Sequence, residues 1–298
     1  MRWNIAILYF LLQLAGRLPL RFLHACGAGL GRLLWWSRGR LRRHTEINFS
    51  LVLTQLGTEQ RHRLAQRTMQ ETGKSIVEVA KVWGGGARNA LELVREVDGE
   101  ALFQAALDGG KGLIIAAPHL GCWELLNIWL CSRTPIAIVY RPPRHAQIEP
   151  LLLRARGELK PEQVRAEGAG VRTLYKRLQS GGVVGILPDQ SPKQGDGEFA
   201  PFFGVEALTM VLVSRLAHRT GATVLFAFAE RLPKGAGYRI RFRPAPAGID
   251  AADLRAATTA LNHGVEACVN LAFEQYQWHY KRFQYRPSPD EHNPYWRG

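Results

Sequence analysis

A histidine and a glutamate lie five residues apart where an apolar run ends, an arrangement that suits a general base and its partner. His119 and Glu124 follow the apolar run of residues 111–118. A side chain in the first turn of a helix leans back toward the N-terminus, so Glu124 can approach the imidazole. A carboxylate on Nδ1–H would leave Nε2 free to take a proton from a hydroxyl. The spacing by itself is weak evidence, because a half-buried histidine beside an unrelated glutamate produces it too.

Short apolar runs bounded by Gly or Pro predict the strands that would position this pair. They cover residues 111–118, 135–140, 182–187, 223–229 and 238–242. Helical patterns separate most of them, including a long one over residues 45–82 and a short one near residues 102–107. This alternation predicts an α/β fold with a mixed, mostly parallel central sheet flanked by helices. The chemistry is then expected in the loops after Ala117, Tyr140 and Leu187.

The N-terminal residues predict a membrane-associated helical segment. Residues 3–14 are almost continuously apolar but too few to span a bilayer upright, and they lack the flanks of a signal peptide. A second Leu-rich stretch ends at Trp35 and Trp36 and is followed by four arginines within residues 38–43. We therefore interpret residues 1–43 as an anchor of two helices and residues 44–298 as a single α/β domain. The alternative is a hydrophobic hairpin that packs on the rest of the protein.

Composition narrows the partners. The chain has 298 residues, 46% of them hydrophobic, and 39 Lys and Arg against 25 Asp and Glu, which gives a formal charge of +14. Such a surface attracts nucleic acid, anionic lipid or an acidic carrier protein, and the dispersal of the cations among Trp, Leu and Phe favours lipid. No CxxC pair or zinc-type spacing occurs among Cys26, Cys122, Cys131 and Cys268, so we expect reduced thiols and no metal site.

Several stretches together resemble a known family. Residues 119–124 resemble the His-x4-Asp/Glu motif of the glycerolipid acyltransferase superfamily, and nearly the whole chain resembles its bacterial lipid A biosynthesis branch. The stretches that carry the resemblance are APHLGCWE at 117–124, VYRP at 139–142, RAR at 154–156, LPDQ at 187–190, EFAPFFGVEA at 198–207 and EQYQWHYKRFQYRP at 274–287.

The resemblance implies an O-acyltransferase in which His119 is the general base and Glu124 orients it. The acyl group would pass directly from a thioester on acyl carrier protein to a hydroxyl of a lipid A precursor, without a covalent acyl-enzyme. No cofactor is expected beyond the co-substrate, acyl carrier protein or acyl-CoA. Cys122 lies inside the motif but lacks a second positioned base, so we interpret it as a packing residue.

Cationic and acidic residues near the predicted strand ends are candidates for binding the substrates. Arg141, with backbone N–H groups at the start of the helix after His119, is expected to stabilise the developing oxyanion. Asp189 is expected to position Arg141 or another cation, or else to stabilise a turn. The arginines expected to grip phosphates of donor or acceptor are Arg154, Arg156 and Arg165.

Aromatic residues supply two further predictions. Trp123, Phe202 and Phe203 are candidates for an acyl-chain groove, with plain core packing as the alternative. The residues expected to contact the membrane are Trp3, Trp35, Trp36, Trp278, Lys281 and Arg282. Two departures from the family pattern, His279-Tyr280 after Trp278 and Ala207-Leu208-Thr209-Met210 instead of a threonine-rich run, leave the acceptor more open than the reaction.

Three functional hypotheses remain at this stage. The first is acylation of a lipid A precursor at the cytoplasmic face of the bacterial inner membrane, with acyl carrier protein, anionic lipids and a glycolipid acceptor as partners. The second keeps the chemistry but uses another acceptor, such as a phosphatidylinositol mannoside or an ornithine lipid, with acyl-CoA as donor. The third is a non-catalytic basic module for membranes or nucleic acid, for which the chain shows no recognition motif.

Overall fold

The computed structural model describes residues 3–140, 162–165, 168–288 and 290–296, and side chains from residue 10 onward. Within these residues the helices are α1 Trp3–Gly16, α2 Leu20–Trp36, α3 Arg40–Val52, α4 Thr58–Gly84, α5 Gly86–Leu91, α6 Glu100–Asp108, α7 Trp123–Arg133, α8 Ala169–Gln179, α9 Leu212–Thr220 and α10 Leu254–Leu271. The strands are β1 Val94–Asp98, β2 Leu113–Ala116, β3 Ile136–Tyr140, β4 Glu162–Arg165, β5 Val183–Ile186, β6 Gly197–Phe202, β7 Val205–Met210, β8 Thr223–Arg231 and β9 Tyr238–Pro244.

Seven of the described strands form one mixed sheet in the order β1-β9-β8-β2-β5-β3-β4. The five strands β8, β2, β5, β3 and β4 run parallel, whereas β9 pairs antiparallel with β8 and β1 runs parallel to β9. Strands β6 and β7 form a separate antiparallel hairpin. The predicted α/β class with a mostly parallel sheet and flanking helices is confirmed.

Helices cover both faces of the sheet because its central strands are apolar on both sides. In β2, Ile114 and Ala116 face a core built with α3, α8, α9 and α10. Leu113 and Ile115 face the opposite core, built with α5, α6 and α7. A parallel strand that is buried on both faces reads as a continuous apolar run, which is why its position was predictable.

All five strands predicted from apolar runs are present, as β2, β3, β5, β8 and β9. The short helix predicted near residues 102–107 is α6. The single helical pattern over residues 45–82 was wrong in its continuity, because residues 53–57 interrupt it between α3 and α4. Gly57 is the N-cap of the second helix, and its backbone N–H donates to Oε1 of Gln60 at 3.1 Å.

The two predicted N-terminal helices are present, and they pack against α4 through glycines. A Cβ on Gly73 would lie 2.0 Å from the carbonyl oxygen of Gly27, and one on Gly31 would lie 2.2 Å from that of Met69. The backbones of α2 and α4 therefore touch, which only glycine permits. No described helix is both long and apolar enough to cross a bilayer.

Candidate active site

His119 and Asp189 meet because their strands are neighbours in register. Strands β2 and β5 pair in parallel, with Ala116 opposite Ile186. Each strand continues with one apolar residue and a proline before the polar residue, so His119 and Asp189 both lie three positions beyond that paired end. The carboxyl ends of parallel strands share one edge of the sheet, and the two side chains therefore converge there.

The Asp189 carboxylate binds His119 through both of its oxygens. Oδ1 lies 2.8 Å from the imidazole Nδ1, and Oδ2 accepts the backbone N–H of His119 at 2.9 Å. Asp189 is buried, whereas the His119 side chain keeps 15% of its surface exposed. Burial by itself raises the pKa of Asp189, but the charge and hydrogen bonds of His119 outweigh it and lower that pKa. An ionised acceptor on Nδ1 selects the tautomer with a proton on Nδ1 and a lone pair on Nε2.

An amide occupies that lone pair in the free protein. The side-chain amide Nε2 of Gln190 lies 3.3 Å from Nε2 of His119, and it donates to Oε1 of Gln277 at 3.1 Å. The amide carries two protons, so one can reach each acceptor. A substrate hydroxyl would replace Gln190 as the partner of the imidazole, after which Nε2 can accept its proton.

Glu124 has a different position from the one that the spacing predicted. It lies in the first turn of α7, is 7% exposed, and accepts a hydrogen bond from Nε1 of Trp83 at 3.3 Å. The assignment of Glu124 to the Nδ1 proton is wrong, because Asp189 holds that atom. Asp189 was expected to position Arg141 or another cation, or else to stabilise a turn, and the sequence analysis did not name His119 as its partner. A catalytic role for Glu124 stays a prediction.

The turn between His119 and α7 is held on both sides by backbone hydrogen bonds. Gly121 N–H donates to the carbonyl of Gln275 at 3.2 Å, and Cys122 N–H donates to that of Ala229 at 2.9 Å. Gly121 has φ +63°, and a Cβ there would lie 1.9 Å from the Ala229 oxygen, so the position requires glycine. These N–H groups fix the turn and are not available to an oxyanion. Burial raises the pKa of the Cys122 thiol, which agrees with a packing role.

The other predicted substrate-binding residues fall in several places. Arg141, Arg154 and Arg156 lie outside the described residues, as does the side chain of Trp3. Arg165 ends β4 and is exposed. Trp123 packs edge-on against His119, with ring centroids 5.3 Å apart, so it lies beside the imidazole.

Phe202 and Phe203 belong to an aromatic core. Phe202 is buried and packs edge-on against Phe203, and Phe203 packs against Trp278. Phe203 and Gly204 both have positive φ and form the tight turn of the β6–β7 hairpin. The plain-core alternative therefore describes Phe202 correctly, and the groove prediction was wrong for it.

Three of the residues expected at a membrane are buried instead. Trp35 is 5% exposed, and the guanidinium carbon of Arg42 lies 3.9 Å from the centroid of its indole ring. Trp278 is 1% exposed and donates Nε1–H to the carbonyl of Phe273 at 2.8 Å. Arg282 is buried and donates to the carbonyl of Leu208 at 2.6 Å. Trp278 and Arg282 donate hydrogen bonds inside the protein, although the Arg282 Nε has no hydrogen-bond partner within the described residues. A sequence pattern that mixes Trp and Arg does not distinguish such buried residues from a solvent-exposed surface.

Some site residues were missed by the sequence analysis. Gln190 was quoted within a motif without a role, although it directly follows Asp189. Gln277 also binds the backbone, since its N–H donates to the carbonyl of His119 at 3.0 Å. Glu78 lies three residues after Ser75 and four before Val82, so the three residues share one face of α4. A glutamate between residues that share one face of a helix could have indicated a buried charge that needs a partner.

Comparison of the sequence with known proteins identifies the family. A sequence model described as "Bacterial lipid A biosynthesis acyltransferase" matches residues 1–285. The chain belongs to this family. The predicted resemblance is thereby confirmed, and the protein is an acyltransferase.

Curated relatives of this acyltransferase cover most of its length. The lipid A biosynthesis lauroyltransferase of Escherichia coli K12 is 25% identical over 285 residues, which are 95% of this chain and 91% of the relative. The lipid A biosynthesis palmitoleoyltransferase of the same strain is 26% identical over 278 residues, with 91% and 88% covered. A phosphatidylinositol mannoside acyltransferase of Mycobacterium tuberculosis is 28% identical over 207 residues, with 64% and 60% covered.

Proposed function

We propose that this acyltransferase moves a fatty acyl chain from an acyl carrier protein thioester to a hydroxyl of a lipid A precursor at the cytoplasmic face of the inner membrane. The observation that carries the proposal is the His119–Asp189 pair at the sheet edge, in a chain of the lipid A family. The relatives named for lauroyl and palmitoleoyl transfer to lipid A support this acceptor.

His119 acts as the general base in the proposed mechanism. Its Nε2 takes the proton of the acceptor hydroxyl as the oxygen attacks the thioester carbonyl. The new ester bond forms, the carbon–sulfur bond breaks, and the imidazolium returns its proton to the leaving thiolate. The ionised Asp189 stabilises the imidazolium through Nδ1–H, so no acyl-enzyme is required. One imidazole thereby takes the proton of the lipid alcohol and delivers it to the carrier thiolate.

An exposed apolar face on the N-terminal helices supports membrane binding. Phe22, Leu33 and Trp36 of α2 are 54%, 61% and 74% exposed, and Phe10, Leu11 and Leu14 of α1 are exposed as well. Exposed arginines adjoin this face at Arg17, Arg21, Arg32, Arg38 and Arg40. An apolar face with basic neighbours suits a helix pair that lies in the headgroup layer of an anionic membrane. The same orientation would bring the protein to its lipid acceptor.

A second surface, which carries two exposed arginines beside a cavity that Asp196 and Glu198 also line, supports an acidic carrier as donor. A cavity of about 660 Å³ lies between α8, α9 and the loop after β5, and its lining includes Tyr175, Pro192 and Leu216. Arg215 and Arg219 lie at this cavity and are exposed, and no ion pair engages them in the described part of the chain. Because Pro192 is three residues from Asp189, the cavity reaches within about 11 Å of the site along the chain. An acidic carrier that docks here could present its thioester to His119.

The deciding experiment supplies the purified protein with acyl carrier protein and acyl-CoA donors and reads the products by mass spectrometry. The acceptors are a tetra-acylated lipid A precursor and a phosphatidylinositol mannoside, and His119→Ala is the negative control. His119-dependent transfer to the lipid A precursor is the expected result. Transfer to the mannoside alone would replace the acceptor in the proposal, and no His119-dependent transfer to either lipid would refute it.

The phosphatidylinositol mannoside is the second candidate acceptor because a relative named for that acceptor is 28% identical over 64% of this chain. The two lipid A relatives cover more than nine tenths of the chain, which favours the first candidate. The catalytic geometry is the same for both acceptors, since His119 and Asp189 act on the hydroxyl alone.

A further inference from the structure

A buried ionic cluster lies directly under the turn between His119 and α7. Arg231, the last residue of β8, has a side chain that is only 2% exposed. Its Nε donates to Oε1 of Glu78 at 2.7 Å, and one terminal nitrogen contacts Oε2 of Glu71 at 3.2 Å. The other terminal nitrogen donates to the hydroxyl of Ser75 and to the carbonyl of Gly121 at 3.0 Å. One guanidinium therefore joins three successive turns of α4 to the turn that follows His119.

The cluster extends to the N-terminal helices. Oε1 of Glu78 also accepts the hydroxyl of Tyr238 at 2.7 Å and lies 2.7 Å from Nε2 of His24 on α2. Burial raises the pKa of Glu78, but the charge of Arg231 and the contacts with His24 outweigh it and lower that pKa to about 2. The carboxylate is therefore ionised near neutral pH and serves as the counterion of the guanidinium.

Such a cluster contributes specificity of geometry more than stability. Removing an arginine and its carboxylates from water costs several kcal/mol, and apolar side chains of similar size often stabilise a core as well or better. Its hydrogen bond to the Gly121 carbonyl suits a role in holding one arrangement of the turn. Within the described residues, the Gly121 carbonyl is the one peptide group between His119 and α7 that receives a charged donor.

We infer that Arg231 is a positioning residue for acyl transfer: it fixes the Gly121 peptide and thereby the angle at which His119 meets the acceptor hydroxyl. Arg231 contacts neither the imidazole nor Asp189 in the described residues, so it acts through the turn. Asp189 and Gln277 hold His119 at its own backbone, whereas Arg231 holds the turn two residues later. The imidazole is then fixed from both ends of one short segment. The expected effect on kcat rests on the proposed function, whereas the expected effect on the turn does not.

Arg231→Lys is the principal test because it keeps the charge but carries its three N–H groups on one nitrogen, which cannot span Glu78, Ser75 and Gly121 as the guanidinium does. We expect kcat to fall at least tenfold while KM for donor and acceptor changes less than twofold. Hydrogen exchange of the backbone amides in residues 119–124 should accelerate at the same time. Arg243→Lys is the matched control, since Arg243 lies on the adjacent strand and binds Asp98, away from the turn. The control should leave kcat and the exchange of residues 119–124 unchanged.

Glu71→Gln provides a second variant in case Arg231→Lys does not fold. Glu71 lies at the edge of the cluster, is partly exposed and contacts only one guanidinium nitrogen, so the fold should tolerate the change. We expect a smaller fall in kcat, about threefold, with faster exchange in the same segment. A folded variant in which either kcat or the exchange of residues 119–124 stays at the wild-type value overturns the inference. If the wild-type protein transfers no acyl group, the proposed function fails, and the exchange measurement alone decides the positioning role.

Discussion

Nδ1 of His119 lies 2.8 Å from Oδ1 of Asp189, although 70 positions separate the two residues in the chain. The contact depends on β2 and β5 being adjacent parallel strands in register. The partner of the base therefore lies in the loop after β5, whereas the sequence spacing had favoured Glu124 in α7.

Replacement of Asp189 by asparagine tests the base directly. We expect kcat to fall by about 10³–10⁴-fold, because an amide on Nδ1 favours the tautomer that protonates Nε2. KM for both substrates and the unfolding temperature should change little. Steady-state kinetics beside a thermal melt checks this, with Asp108→Asn on the surface of α6 as control. A folded Asp189→Asn protein with wild-type kcat would remove Asp189 from the mechanism.

Membrane binding should depend on the apolar face of α2. The triple replacement Phe22→Ser, Leu33→Ser and Trp36→Ser is expected to weaken binding to phosphatidylglycerol-containing vesicles by at least about 100-fold, since each buried apolar side chain contributes roughly 1.5–3 kcal/mol. Vesicle flotation measures the bound fraction. Leu102→Ser, which changes another exposed leucine on α6, should not alter it. Equal flotation of the triple variant and the wild type would argue against this face.

Carrier docking should depend on the two arginines of α9. We expect the double replacement Arg215→Glu and Arg219→Glu to raise KM for an acyl carrier protein donor about tenfold or more, because like charges then face the acidic carrier. KM for acyl-CoA should change less, and the effect on the carrier donor should shrink at high salt. Arg88→Glu, a highly exposed change on α5, is the control. The same KM for the carrier donor in the variant and the wild type would place docking elsewhere.

His279 should make the protein less stable in mild acid. Burial, followed by the nearby His44 and His119, lowers its pKa to about 4 from an ordinary value of 6.5. The unfolded chain therefore binds more protons between these values, and the free energy of unfolding should fall as the pH drops from 6.5 to 4. The contribution is about 3 kcal/mol. Denaturant unfolding at several pH values measures this dependence. The fall in the free energy of unfolding between pH 6.5 and 4 should be smaller in His279→Leu and unchanged in His263→Gln.

Two glycine replacements test the contact between α2 and α4. Gly73→Ala should lower the free energy of unfolding by about 1–3 kcal/mol, because its Cβ would lie 2.0 Å from the Gly27 oxygen. Gly29→Ala, on the outer side of α2 with no heavy atom within 4 Å of the new Cβ, should raise it by up to about 1 kcal/mol through helix propensity. Chemical denaturation distinguishes the two. Unchanged stability in Gly73→Ala would contradict the close backbone contact, and a loss of stability in Gly29→Ala would contradict the open position of Gly29.

Local patterns in the sequence determined a large part of this protein. Apolar runs bounded by Gly and Pro located β2, β3, β5, β8 and β9, because a strand buried on both faces leaves a continuous apolar signature. The same patterns located His119 at a strand end, and the motifs around it indicated the acyltransferase family, which the family match confirms.

Only the tertiary structure decided which side chains meet and which face water. The position of β5 next to β2 in the sheet brings Asp189 to His119 and makes it the partner of the base. Trp35, Trp278 and Arg282 are buried because distant segments cover them, with α3 and the C-terminal residues closing over one another. Spacing along the chain reports periodicity, whereas burial and partnership depend on contacts between residues far apart in sequence. The partner of the catalytic base therefore follows from strand order, which no local pattern encodes.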